Sequence, residues 1–126
     1  MHKSRLGAIV IDCETDDLDG DAAFWSGALG GTPDRSSDPQ FSNYVALRDS
    51  PAGPHVLIQK VDHPSRVHID IESDDIDAEA DRLEKLGAKR IARVKRWWVM
   101  QAPSGQRFCV VPPQREDFEA GANQWP

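Results

Sequence analysis

The twelve residues from Ile11 to Ala22 return, little changed, from Ile69 to Ala80. At that offset of 58 residues seven of the twelve positions are identical. The other five pair Cys13 with Ile71, Thr15 with Ser73, Leu18 with Ile76, Gly20 with Ala78 and Asp21 with Glu79. The likeness resumes after one residue of slip, with Leu29-Gly30-Gly31 against Leu86-Gly87-Ala88. Self-similarity at a fixed offset is the mark of a structural unit used more than once. A chain of 126 residues has the length of one ordinary domain. The duplication therefore predicts one domain, residues 1–126, made of two like modules.

Each copy has the same local physics. From Gly7 to Cys13 and from Val67 to Ile71, β-branched residues alternate with others, the period of a half-buried strand. Acidic turns follow, Thr15-Asp16-Asp17 and Ser73-Asp74-Asp75, whose side-chain oxygens and charge suit a helix start. The apolar positions Leu18, Ala22, Trp25 and Leu29, and then Ile76, Ala80, Leu83 and Gly87, step by four, three and four along one helical stripe. Gly30 and Gly87 mark the helix exits. Three further strands are expected behind each helix. In the first copy they lie near Thr32, over Phe41 to Leu47 and over His55 to Lys60; in the second, over Lys89 to Val94, Trp97 to Gln101 and Arg107 to Val111. The turn-forming stretches Asp49 to Pro54 and Ala102 to Gln106 stand in equivalent places. The predicted order is β-α-β-β-β twice: module one at about 6–60, module two at about 67–112, then a tail over 113–126.

The charge narrows the partners. Fifteen Lys and Arg against twenty-one Asp and Glu leave a formal charge of −6, which repels polyphosphate, so nucleic acid is not expected as a partner. The longest apolar run, around Ala8 to Ile11, is far short of the roughly 20 residues that span a bilayer, and the first residues carry no apolar leader pattern. A cytoplasmic chain with no membrane partner is expected, with Cys13 and Cys109 as free thiols. The carboxylates from Asp12 to Asp21 do not form a calcium loop: no glycine stands at its sixth position and no glutamate closes a twelve-residue frame.

Three features together, the duplicated module, the opening strand Val67-His68-Ile69-Asp70 and the turn Ala102-Pro103-Ser104-Gly105-Gln106-Arg107-Phe108, resemble the vicinal oxygen chelate superfamily. Phe24-Trp25 and Leu29-Gly30 at the end of the first helix add to the likeness, which covers roughly residues 6 to 113. That group contains glyoxalase I, bleomycin-resistance proteins and extradiol dioxygenases, and the chain is most similar to its small glyoxalase-like members. The resemblance implies an α+β fold in which two tandem β-α-β-β-β modules form a cupped mixed sheet, with helices on the outer face and a ligand pocket within. It also implies a homodimer. The family's metal enzymes carry one ligand on the first strand and one on the last strand of each module. His68 matches the opening ligand of module two, Cys109 takes the seat of a glutamate, and Val10 and Leu57 fall at the other two places. Val10 and Leu57 offer no donor, so no divalent metal is expected as cofactor.

Alternation sorts the strands into faces. With Ile9, Ile11 and Cys13 toward the helix, Val10, Asp12 and Glu14 face the cup; with Val67, Ile69 and Ile71 toward the helix, His68, Asp70 and Glu72 face it. Leu57, Gln59 and Cys109 join them, while Val56, Ile58, Phe108 and Val110 fill the core. Tyr44 and Trp98 hold matching places and are expected along the wall, with Trp97 turned away. Asp12, Gln59, His68, Asp70, Tyr44, Trp98 and Cys109 are thus the candidate ligand-binding residues. Carboxylates beside aromatic faces suit a small organic molecule with positive charge or several donors. Metal-independent binding of such a molecule is the first functional expectation. The second is an enzyme, a glyoxalase-like lyase or a relative, with His68 as catalytic acid or base or as metal ligand. The third is an interaction module with no ligand.

Overall fold

A computed structural model describes residues 1–49 and 53–126. The element order is β1 (His2–Glu14), α1 (Leu18–Leu29), β2 (Thr32–Arg35), β3 (Tyr44–Arg48), β4 (His55–Val61), β5 (Arg66–Ser73), α2 (Ile76–Lys85), β6 (Lys89–Val94), β7 (Trp97–Gln101), β8 (Arg107–Val111), α3 (Phe118–Gly121) and β9 (Asn123–Trp125). The fold class is α+β, and β-α-β-β-β occurs twice, as the duplication predicts. Phe41 lies in a turn of 3-10 helix, Pro39–Phe41, instead of opening β3, because Asp38 caps that turn and Pro39 starts it. Of the turn expected from Asp49 to Pro54, Ser50 to Ala52 lie outside the described residues.

The chain divides into two compact units, Ile9–Val67 and a second made of Met1–Ala8 with His68–Pro126. In the first unit β2, β3, β4 and β1 are hydrogen-bonded neighbours in that order, and the β2–β3 and β3–β4 pairs are antiparallel. Its core joins Ile11, Cys13, Leu18, Ala22, Val45, Leu47 and Ile58. These are the inward positions of the strands and the stripe of α1, so alternation and helical period meet in one cluster. Asp17 caps α1 by accepting from the Gly20 backbone N–H at 3.0 Å.

The second unit runs β1, β5, β8, β7, β6, with β5 and β8 parallel and the β8–β7 and β7–β6 pairs antiparallel. Ala80, Met100, Phe108 and Val110 form its core, with Ile71, Ile76, Leu83 and Trp98 packed around them. Asp75 caps α2 by accepting from the Ala78 N–H at 3.0 Å. Two residues of β5 expected to face a helix are exposed instead: Ile69, in this unit, is 42% exposed, and Val67, the last residue of the first unit, is 60% exposed. The ten residues of α2 span about 15 Å, and the helix packs on β6, β7 and β8.

The tail folds back on its own chain. β9 pairs antiparallel with His2, Lys3 and Ser4 of β1, Phe118 is buried, and the Trp125 indole N–H donates to Ser4 Oγ at 2.8 Å. Arg82 stacks on the Trp125 ring at 3.9 Å from its centroid.

Candidate functional site

In the second unit β5 and β8 run side by side, and their register sets Asp70 opposite Cys109. His68 precedes Asp70 by two residues and shares its face. The His68 Nε2 lies 3.4 Å from Asp70 Oδ1, and one ligand atom each from His68, Asp70 and Cys109 falls within 4.8 Å of the others. The side chains of His68 and Asp70 are 13% and 14% exposed, sheltered yet open to a small solute. An imidazole, a carboxylate and a thiol therefore converge on one patch of sheet, a set able to donate, accept or ligate.

The same row closes at its far end. Glu72 is fully buried, with its carboxylate 3.5 Å from Arg5 Nε and 3.3 Å from Arg115 Nε. Arg115, which comes from the tail, also donates to the Leu6 carbonyl at 2.7 Å. Gly7 permits this arrangement, since a Cβ there would stand 2.7 Å from Glu72 Oε2. Burial pulls the Arg5 guanidinium down, but bonds and charge from Asp117 and Glu72 outweigh that and hold it above its ordinary value.

Of the other candidates, three lie in the first unit and are described there. Tyr44 and Gln59 are register partners on β3 and β4, and Gln59 Nε2 donates to the Tyr44 hydroxyl at 3.0 Å. Asp12 is buried, with Oδ2 3.7 Å from Arg66 Nε. The structure thus brings together His68, Asp70 and Cys109 in one unit, and Tyr44 with Gln59 in the other.

Trp98 corrects the sequence reading. It shares a face with Met100 and Val110, packs against the core beneath α2, and its indole N–H donates to Asp77 Oδ1 at 2.8 Å. Arg90 and Arg93 approach its ring at 4.8 and 5.1 Å from the centroid. Trp98 is therefore a packing residue of the helix side, and alternation puts Trp97 and Val99 on the face of Cys109, with Val99 directly opposite that thiol. Two adjacent tryptophans give alternation no phase of their own. Asp77 shows the consequence: the bond from Trp98, ahead of its charge contacts with Arg93 and Arg90, holds its carboxyl below the ordinary value against some desolvation.

Alternation puts His68 and Asp70 on one face of β5, but the approach of Asp70 to Cys109 depends on the parallel pairing of β5 with β8, a long-range fact. The four-position metal pattern of the family does not fit this chain: Val10 is a buried apolar residue and Leu57 carries no donor. Cys13, the other thiol, sits in the first unit's core, where burial and then the Asp21 and Asp12 charges push it up. A polar hollow at the start of α1, lined by Asp16, Asp17, Asp19, Arg35 and Lys60, contains none of the candidate residues.

The chain belongs to the glyoxalase-like domain family, whose model matches residues 8–111. Solved structures agree on the fold. A methylmalonyl-CoA epimerase from Mycobacterium tuberculosis is 12% identical, with a TM-score of 0.62 over 88% of this chain and 89% of that one. The Streptomyces coelicolor methylmalonyl-CoA epimerase, solved as a variant in complex with 2-nitronate-propionyl-CoA, is 15% identical, with a TM-score of 0.61 over 88% and 98%. A chain described as an NAD-dependent benzaldehyde dehydrogenase from Legionella pneumophila is 10% identical, with a TM-score of 0.58 over 85% and 98%. At such identities the likeness is one of fold alone. No curated protein matches the chain in sequence. Among the described residues no helix is long and apolar enough to cross a membrane.

Proposed function

We propose that this chain binds a small organic molecule, anchored on the face of β5 and β8 that carries His68, Asp70 and Cys109. The single observation behind this reading is the convergence of those three polar side chains, partly sheltered, on adjacent strands. Neighbouring surface is apolar at Val99. Such a patch favours a ligand with a hydrogen-bond donor or a positive group beside an apolar body. A second reading, catalysis, draws on the 3.4 Å approach of Asp70 to His68 Nε2. A carboxylate at that distance orients an imidazole, as a general acid or base requires. The solved epimerases show that the fold supports enzymes.

The reading extends to the setting. A homodimer is proposed, supported by the exposed apolar side chains Ile69, Leu86, Ile91 and Val94 of the second unit. A cytoplasmic location suits two free cysteines. Light scattering behind a sizing column tests the first of these.

A thermal-shift screen of small organic cations and polar metabolites, run on the whole chain and on His68→Ala, tests the binding. The expected result is a rise in melting temperature with some members of the screen that His68→Ala abolishes. Trp98→Ala serves as the contrast: it lowers the melting temperature of the free protein but keeps the ligand-induced rise. A rise that survives His68→Ala contradicts the placement. No response to any compound favours the interaction module.

A further inference from the structure

We infer that Lys89, Gln101 and Arg107 form an anion subsite on the face of the second unit that also carries Asp70 and Cys109, and that it takes the carboxylate of a small organic acid. This rests on the reading of the β5–β8 face as the binding site, and it names the class of ligand held there.

Charge is unevenly spread along the chain. Between Glu84 and Glu116 stand eight Lys and Arg and no carboxylate, in a sequence where acids outnumber these bases. Much of that positive charge is already engaged. Arg90 pairs with Asp81 and Glu84, Arg93 with Asp77 and Arg115 with Glu72, while Lys95 lies 5.8 Å from the centroid of the Trp97 ring. Lys89 and Arg107 differ: among the described residues, neither side chain has a hydrogen bond or an ion pair.

Strand register brings the two together. The turn between β7 and β8 is closed by the Ala102 N–H, which donates to the Gln106 carbonyl at 2.9 Å, and Gly105 supplies its left-handed bend at φ 99°. Gln101 and Arg107 are thereby partners across β7 and β8, and Lys89 is the partner of Gln101 across β6 and β7. Register partners share a face. Phe108 fills the core on the helix side, so Arg107 takes the side of Cys109, two residues on. The pairing of Asp70 with Cys109 continues the row onto β5 at His68. Lys89, Gln101, Arg107 and His68 thus stand abreast on four strands, one side-chain repeat from the row of Val99, Cys109 and Asp70.

The donors select the ligand. A guanidinium holds a carboxylate through two parallel hydrogen bonds, and an ammonium and an amide N–H on the same row add donors. Strands about 4.8 Å apart put the Lys89 and Arg107 Cα atoms about 10 Å from each other, a span that two long side chains close over one small anion. Asp70 lies one strand across from Arg107 and one repeat along, about 8 Å away. Its charge repels a doubly charged phosphate more than a singly charged carboxylate, and it can accept from an amine at the far end of the same ligand. Val99 offers the ligand's body an apolar rest beside Cys109.

The test titrates the whole chain by calorimetry at low salt with three matched probes. Para-aminomethylbenzoate has both charged groups, benzoate the carboxylate alone and benzylamine the amine alone. The two-ended probe should bind more than about fivefold tighter than benzylamine. Arg107→Gln should remove that advantage and leave benzylamine binding unchanged, and Lys89→Gln should weaken the two-ended probe by about two- to threefold. Arg96→Gln, which removes a cation of the same run from the β6–β7 turn, should change nothing. The inference is overturned if no probe binds at millimolar concentration, if the two-ended probe binds Arg107→Gln as tightly as the wild type, or if Arg96→Gln loses as much as Arg107→Gln. Inorganic phosphate binding more tightly than benzoate overturns the choice of a carboxylate. The two readings fail separately. Benzylamine binding that His68→Ala and Asp70→Asn abolish, with no gain from the carboxylate, overturns the subsite alone; benzoate binding that Arg107→Gln abolishes but His68→Ala and Asp70→Asn leave intact overturns the earlier anchor alone.

Discussion

Glu79 has no solvent contact, yet it accepts bonds from His2 Nε2 at 2.7 Å, Ser4 Oγ at 2.6 Å, and Arg82 Nε and an Arg82 terminal nitrogen, both at 2.8 Å. Burial alone would push this carboxyl up, but the bonds from Arg82, Ser4 and His2 outweigh it and hold the group below the ordinary glutamate value. The linkage has a definite sign. A carboxyl lowered in the folded state adds stability above the unfolded value near about 4.3, and that stability is lost as pH falls through the lowered folded value. Glu79→Gln should therefore cost about 2–4 kcal/mol at neutral pH and flatten the acid limb of stability against pH. Urea midpoints measured from pH 7 down to pH 3 check both parts. An unchanged acid limb in the variant would show that other carboxylates carry it. Nothing in the sequence announced this hub. His2 and Ser4 lie more than seventy residues from Glu79, and a Glu at helical spacing reads as solvated until a strand from the other end of the chain is laid against it. Asp70 was legible as a residue of the inward row, but its approach to Cys109 was not, for the same reason.

At the scale of elements, local chemistry carried most of the information. Asp17 and Asp75 stand at corresponding places in the repeat, and each caps its helix through the N–H three residues on. Asp17→Ala and Asp75→Ala should each cost about 1 kcal/mol, seen as lowered denaturant midpoints with little change in slope. An effect confined to one of the two would mean that the copies no longer depend equally on their caps. The strands beyond each helix were also readable, since alternation and turn residues act over a few positions. Three features escaped. Val67 and Ile69 are exposed, Trp98 packs on the core and bonds Asp77, and the pairing of β9 with β1 joins the two ends of the chain. Each is decided by tertiary packing, to which a local pattern is blind.

Across the whole molecule, the repeated segment sets two modules of like element order side by side and shows where they differ. The offset that sets Asp12 on Asp70 also sets Val10 on His68, and the last strands carry Leu57 against Cys109. In the first copy the shared aspartate is buried near Arg66; in the second it stands with an imidazole and a thiol. Polar chemistry has thus been gathered in one copy, while the other keeps the apolar residues of a packed strand. The acidic excess has structural outlets as well, in two helix caps and in buried carboxylates held by arginines at Glu72 and Glu79. The claim at the centre is that the β5–β8 face of the second unit is where a ligand is held. The amide NMR spectrum of the whole chain, titrated with the organic compound that raises the melting temperature most, tests it directly. The largest shifts should fall on residues 68–72 and 107–111; largest shifts in α1, β2 or the hollow at the start of α1, with 68–72 and 107–111 unmoved, would contradict it.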